Sequence, residues 1–233
     1  MANASAPDLA VVAGALASDA RATMVLALLD GRAWTLTELA RASGTAASTA
    51  SEHVDRLVAA GLLEEVRQGR HRYLRIAGSQ VAETVEALAA LTDRVRPAEQ
   101  SLGGQRADAA LREARVCYRH LAGRLGVALC DGARAAGFVT TDWALTDLGR
   151  AWLTGLGVTL PTAPRRPLIR PCLDWTERRE HLAGVVGDEL LSTCLDRGWL
   201  TRRRGSRHVV VSDTGRAALE QVLDGARVAA GGR

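Results

Sequence analysis

Apolar positions recur at helical spacing over residues 8–30, broken near Ser18–Asp19, where either residue can cap a new helix. The pattern predicts two short helices closed by Gly31. Thr35-Leu36-Thr37 opens a short helix over 37–42, and Ser43-Gly44-Thr45 forms a turn, glycine supplying the backbone freedom of a sharp corner. A second helix follows over 46–60 and ends at Gly61. Within it Ala50, Val54 and Leu57 follow i, i+4, i+7, with Ala47 and Val58 beside them, so one face packs inward. The opposite face presents Ser48, Thr49, Glu52, Asp55 and Arg56, with Ser51 and His53 at its flanks. Strand patterns over 62–66 and 73–76 flank a basic tip, Arg67-Gln68-Gly69-Arg70-His71-Arg72. A helix over 79–96 stops before Pro97, and polar, glycine-containing residues 97–106 are expected to be a linker centred on Gly103-Gly104.

Beyond the linker the pattern repeats itself. His120-Leu121-Ala122-Gly123 recurs as His181-Leu182-Ala183-Gly184, and Gly137-Phe138 as Gly198-Trp199, both at a shift of 61. Leu145-Thr146-Asp147-Leu148-Gly149-Arg150 matches Val211-Ser212-Asp213-Thr214-Gly215-Arg216 at a shift of 66, the second copy carrying a longer basic hairpin at 202–207. Three blocks in the same order point to an internal repeat, about 113–157 and 174–223, each copy reading helix, glycine cap, strand pair and short helix. The expected architecture is α+β, mainly helical with small hairpins. A winged helix-turn-helix domain (1–96) precedes a domain of two winged-helix-like repeats (107–233).

Composition changes this picture little. Of 233 residues 47% are hydrophobic but only 3% aromatic, so the core is built from Leu, Val and Ala, which favours helix. The net charge of +4 is compatible with a polyanionic partner, and all the basic side chains are Arg, as expected of a GC-rich genome. No run of 18 apolar residues suggests a membrane span, and Met1–Pro7 has no signal-peptide character, so a cytoplasmic protein without a membrane partner is expected. Cys117, Cys130, Cys172 and Cys194 form no CxxC pair and read as thiols.

A tight turn before one helix and a basic hairpin after it point to DNA. Short hydroxyl side chains near a helix N-terminus allow close approach to the major groove, and wing arginines neutralise phosphates. The segment Thr37-Glu38-Leu39-Ala40…Ser43-Gly44…Ser48-Thr49-Ala50-Ser51-Glu52-His53-Val54…Leu57…Gly69-Arg70-His71-Arg72-Tyr73 resembles the ArsR/SmtB family of winged-helix repressors over about residues 8–96. The resemblance implies a homodimer formed through the domain's first and last helices and bound to double-stranded operator DNA. It places Ser48, Thr49, Ser51 and His53 toward DNA and Arg70 and Arg72 on the wing. Arg56, Arg67 and His71 complete the candidate DNA-binding set. Two departures matter. Glu52 and Asp55 are acidic within the recognition helix. The family's metal sites are also missing, since Glu38-Leu39-Ala40 replaces its cysteines and residues 79–96 hold neither His nor Cys.

An input is therefore expected in the second half, which resembles extended family members with segments such as Cys117–Gly123 and Pro171–Arg179. Candidate effector residues are Cys117, His120, Cys172, Asp174, Trp175, Arg178 and His181. Cys117 and His120, three apart, are read as sharing one helix face, and with Cys172, Asp174 and His181 they would suit a divalent metal. No cysteine appears at the position 61 beyond Cys117, which is Arg178. A small organic effector is an equal alternative, held in a cleft walled by Trp143, Trp152, Trp175 and Trp199, with Arg178 or Arg179 pairing an acidic group. A thiol redox switch and a protein-interaction module also remain open. No nucleophile elbow, phosphate loop or metal-hydrolase motif is present, so the chain is not read as an enzyme.

Overall fold

A computed structural model describes residues 8–68, 71–92, 102–220 and 224, with the side chains of 71 and 102–107 excepted. The described residues form two compact units, divided between Val85 and Glu86 inside a single helix.

The first unit opens with α1 (Leu9–Leu16) and α2 (Asp19–Ala27), followed by a 3-10 turn over Leu28–Asp30 and the short strand β1 (Trp34–Thr35). Helix α3 (Leu36–Ser43) begins at a capping box: the Thr35 hydroxyl accepts from the Glu38 amide, and the Glu38 carboxylate accepts from the Thr35 amide. It ends at Gly44, whose φ of 65° is the left-handed corner required before α4 (Ala47–Ala59). Strands β2 (Leu63–Gln68) and β3 (His71–Ile76) pair from Leu63↔Ile76 to Gln68↔His71, and β1 adds to β3 through Trp34↔Leu74. The hairpin thus extends further toward its tip than the apolar pattern indicated, because ladder pairing continues through Arg67↔Arg72. Val25, Leu28, Leu39, Ala50, Val54, Leu57 and Leu74 form the buried interior.

Helix α5 (Ser79–Ala90) contributes to both units. The helix expected over 79–96 ends earlier, at Ala90, with Leu91 in a turn; residues 93–101, with the rest of that expectation and part of the expected linker, lie outside the described ones. The rest of that linker is helical: α6 spans Leu102–Glu113 and includes Gly103 and Gly104. Both glycines lie in its first turn, where they cost less than in a helix interior.

In the second unit one order of elements occurs twice. Hairpin β4 (Arg115–Cys117) and β5 (His120–Ala122) leads into α7 (Gly123–Ala135), a short Val139↔Leu145 bridge and α8 (Asp147–Gly155). Hairpin β6 (Arg170–Leu173) and β7 (Glu180–Ala183) leads into α9 (Gly184–Asp196), hairpin β8 (Leu200–Arg202) and β9 (Val209–Val211), and a helix over 213–220. Thr146 caps α8 by accepting from the Gly149 amide, and Ser212 accepts from the Gly215 amide in the same way. The core joins Leu125, Leu129 and Ala133 of α7 to Val186, Leu190 and Cys194 of α9.

The element expected at 117–120 differs. These residues form a hairpin, with Cys117 and His120 directly opposite across a two-residue turn, and not a helix face. Spacing of three fits either arrangement. Tyr118, at a φ of 56°, takes up the turn conformation that a non-glycine residue rarely adopts.

Candidate functional site

Two surfaces carry chemistry, one in each unit. On α4, Ala50, Val54 and Leu57 are buried, while Ser48, Thr49, Glu52, Asp55 and Arg56 share an exposed face and Ser51 is half-buried. Ala47, expected to pack inward, is exposed, because the first turn of α4 extends past the core. His53 also departs from the outward set. It is half-buried, its Nδ1 3.5 Å from the guanidinium of Arg21, which donates to the Ala15 and Gly14 carbonyls. His53 therefore braces α4 against α2.

The wing arginines divide by partner. Arg67 is largely exposed and pairs with Glu65 at 2.9 Å, a surface contact of little strength. Arg72 is half-buried, donates a hydrogen bond to Asp55 of α4 at 2.9 Å and forms an ion pair with Glu65 at 2.8 Å. It ties the helix to the hairpin, and this accounts for Asp55, whose acidity the sequence left unexplained. The Asp55 bond and, against burial, the Glu65 contacts raise the Arg72 pKa further. Arg70 and the His71 side chain lie outside the described residues.

In the second unit the hairpins bring together Cys117, His120, Cys172 and His181, one ligand atom of each lying within 4.8 Å of the others. Cys117↔His120 in one hairpin corresponds to Cys172↔His181 in the other. Cys172 thus does occupy the place of Cys117. Two residues separate Cys117 from His120 and eight separate Cys172 from His181, so a fixed shift lands on Arg178 and misses the match. Each hairpin enters its helix through Gly123 or Gly184, both at positive φ. Two further glycines hold the histidines. Gly126 lies against His181, and Gly187 against His120, where an added Cβ would sit 3.1 Å from the His120 Cβ. The same Cβ atoms would lie 2.4 Å from the Leu121 and Leu182 carbonyl oxygens, so only glycine admits this approach.

Cys117, His120 and His181 are buried and Cys172 is half-buried. The ring centroids of His120 and His181 are 4.9 Å apart. His120 Nε2 and both ring nitrogens of His181 are buried without a hydrogen-bond partner. A hydrogen bond with Cys172 and burial push the Cys117 thiol up to about 12, against the pull of both histidines. That thiol donates to Glu86 Oε2 at 3.4 Å, and Arg207 donates to Glu86 Oε1 at 2.5 Å.

Asp174 is not a fourth-ligand substitute. Arg115 donates to its Oδ1 at 2.7 Å and the Gly123 amide to its Oδ2 at 2.7 Å. Burial opposes its ionisation, but Arg115, the Gly123 amide and the Thr176 hydroxyl outweigh it and hold the carboxyl well below the usual range. Arg178 is likewise occupied, donating to the carbonyls of Ala90, the last residue of α5, and of Thr92 just past it. Trp143, Trp152 and Trp199 are partly buried against the core of the second unit. Trp175 packs on Arg115, Trp143 on Arg134 and Trp199 on Arg197, while Trp152 stacks on Phe138. Sequence reasoning missed Glu86, Asp188 and the glycine pair Gly126/Gly187. The last was readable as His-Leu-Ala-Gly-x-x-Gly in both copies.

A family model described as a helix-turn-helix domain matches residues 16–66. The Bacillus subtilis (strain 168) protein described as the uncharacterized HTH-type transcriptional regulator YdfF is 32% identical over 223 residues, covering 94% of this chain and 98% of that protein. Among solved structures, the homodimeric winged helix-turn-helix domain of Mb0332 from Mycobacterium bovis, a possible ArsR-family regulator, is 30% identical. It covers 39% of this chain and 91% of its own, with a TM-score of 0.35. The cadmium metal-sensor CMTR of Mycobacterium tuberculosis is 31% identical, covering 40% of this chain and all of its own, with a TM-score of 0.32.

Proposed function

Because this chain belongs to the helix-turn-helix transcriptional regulators, we propose that it binds operator DNA as a homodimer and changes affinity when the Cys/His cluster of its second unit is occupied. The observation that carries the DNA half is the exposed face of α4 with Ser48, Thr49 and Arg56, set behind a glycine corner and flanked by the β2–β3 wing. Ser48 and Thr49 lie in the first turn of α4, where short hydroxyls reach base edges and the helix N-terminus favours phosphate. Arg67 supplies phosphate neutralisation, and Arg72 fixes the angle between wing and helix. Exposed Leu9 and Val11 on α1 supply apolar surface for a second copy.

The receiving half is supported by the buried cluster itself: three nitrogens without partners, enclosed by two hairpins, are a poor core but a good ligand shell. Fluorescence anisotropy with the DNA upstream of the protein's own gene tests the reading. Specific binding should exceed binding to unrelated duplex by about a thousandfold or more. It should weaken and lose discrimination in Ser48→Ala and Thr49→Ala. Equal affinity for both duplexes would overturn the proposal.

A further inference from the structure

We infer that Cys117, His120, Cys172 and His181 bind one thiophilic divalent ion of the zinc and cadmium class, tetrahedrally, with both histidines ligating through Nε2. This inference rests on the proposed receiving role of the cluster for its regulatory consequence, while the binding itself stands on the geometry alone.

Four donors within 4.8 Å of one another are close to a coordination shell. Zinc bonds of about 2.0–2.3 Å set tetrahedral edges of about 3.3–3.8 Å. Closure requires about 1 Å of movement, within reach of small side-chain rotations. The donor set is two sulfurs and two imidazoles, which disfavours magnesium and calcium and suits borderline-soft ions.

The second observation is independent of the spacing. His120 and His181 have side chains 5% and 1% exposed, yet His120 Nε2 and both nitrogens of His181 have no hydrogen-bond partner. A buried polar group left in that state bears the full cost of its lost hydration. A metal ion takes up one nitrogen of each ring and removes much of that penalty.

The surroundings choose which nitrogen. Asp188 Oδ1 lies 4.0 Å from His120 Nδ1, and Asp174 Oδ2 lies 3.7 Å from His181 Nδ1. Neither is a hydrogen bond, but each puts a carboxylate beside Nδ1, while Nε2 of both rings has no hydrogen-bond partner. Carboxylates so placed fix a ligating histidine's tautomer and raise its basicity. Asp188 is itself held by Arg119 at 3.1 Å and Arg166 at 2.8 Å, and Asp174 by Arg115, so neither is available as a ligand. Both are positioning residues. All four ligands come from the protein, one Cys and one His from each hairpin, so an ion there fastens β4–β5 to β6–β7 and leaves no open coordination position.

The test uses the full chain, purified with reductant, stripped of metal and titrated with zinc and with cobalt(II). One equivalent of either should bind per chain, and the cobalt form should show tetrahedral d–d bands with thiolate charge transfer. Cys172→Ser, nearly isosteric at a half-buried position, should lower zinc affinity by more than tenfold and remove part of the charge transfer. Asp188→Asn should lower zinc affinity about 10- to 100-fold while the tetrahedral cobalt spectrum persists, as loss of an outer partner predicts. Circular dichroism confirms that each variant is folded. Absence of stoichiometric binding, an octahedral cobalt spectrum, or zinc affinity unchanged in Cys172→Ser would overturn the inference. Operator affinity measured with and without zinc separates the two claims: stoichiometric zinc without any change at DNA refutes the receiving role and leaves the ion site standing.

Discussion

Asp174→Asn removes the charge from a buried carboxylate on which one end of the second unit converges. Its oxygens accept from Arg115, from the amides of Gly123, Thr176 and Glu177, and from the Thr176 hydroxyl. The Arg115 and Asp174 side chains are 1% and 0% exposed, so the substitution leaves a guanidinium buried without its counter-charge. Breaking such a pair by removing one partner costs about 3–5 kcal/mol. For a unit of this size that corresponds to a fall in Tm of roughly 10–15 °C. Trp175, whose ring lies 5.4 Å from the Arg115 guanidinium, provides the reporter in urea and thermal melts followed by fluorescence. The pH dependence has a fixed sign. The folded-state pKa of Asp174 is depressed, so its contribution is present above the unfolded value of about 3.9 and is lost as pH falls below it. The gap between wild type and variant should be full at pH 7 and shrink progressively below about pH 5. A difference under about 1 kcal/mol at pH 7, or one that grows on acidification, would refute the assignment of Asp174 as a charged strut.

The two wing arginines should part company in a salt titration of operator binding. Arg67→Ala should reduce the slope of log affinity against log salt by about 0.9, the signature of one lost phosphate contact. Arg72→Ala should weaken binding with the slope unchanged, because its guanidinium is engaged by Asp55 and Glu65; equal slope changes in both variants would contradict this division. Gly187→Ala should destabilise the second unit by about 1–3 kcal/mol or more, since the new Cβ meets the Leu182 carbonyl at 2.4 Å. Chemical denaturation checks it, and an unchanged midpoint would show that the helix start yields.

The sequence made the first unit legible because its signals are local. Thr35 and Glu38 announce α3, Gly44 its end, and the spacing of Ala50, Val54 and Leu57 the inward face of α4. What escaped there was pairing at a distance: His53 turned toward Arg21, and Asp55 held by Arg72 across 17 residues. In the second unit the matched blocks His120–Gly123 and His181–Gly184 were visible, but the cluster's symmetry was not. Hairpin register fixes which residues face each other, whereas comparison at one shift cannot absorb turns of different length, two residues in one hairpin and six in the other. Asp174 and Arg178 looked like free chemistry in one dimension. In three they are consumed by Arg115, the Gly123 amide and the carbonyls of Ala90 and Thr92.

The placing of one Cys and one His on each of two hairpins within a single polypeptide bears on how such a site changes over generations. In a site shared across a dimer's symmetry axis, one codon change strikes both equivalent ligands and leaves two. Here the two halves are encoded separately, so one codon change removes one donor and leaves three. Three protein donors with a vacated corner is the arrangement that admits water or a substrate to a bound zinc ion. With the proposed ion bound, the second unit would stand a single mutation from a more exchangeable, chemically open centre, a path that a symmetric homodimeric site does not offer.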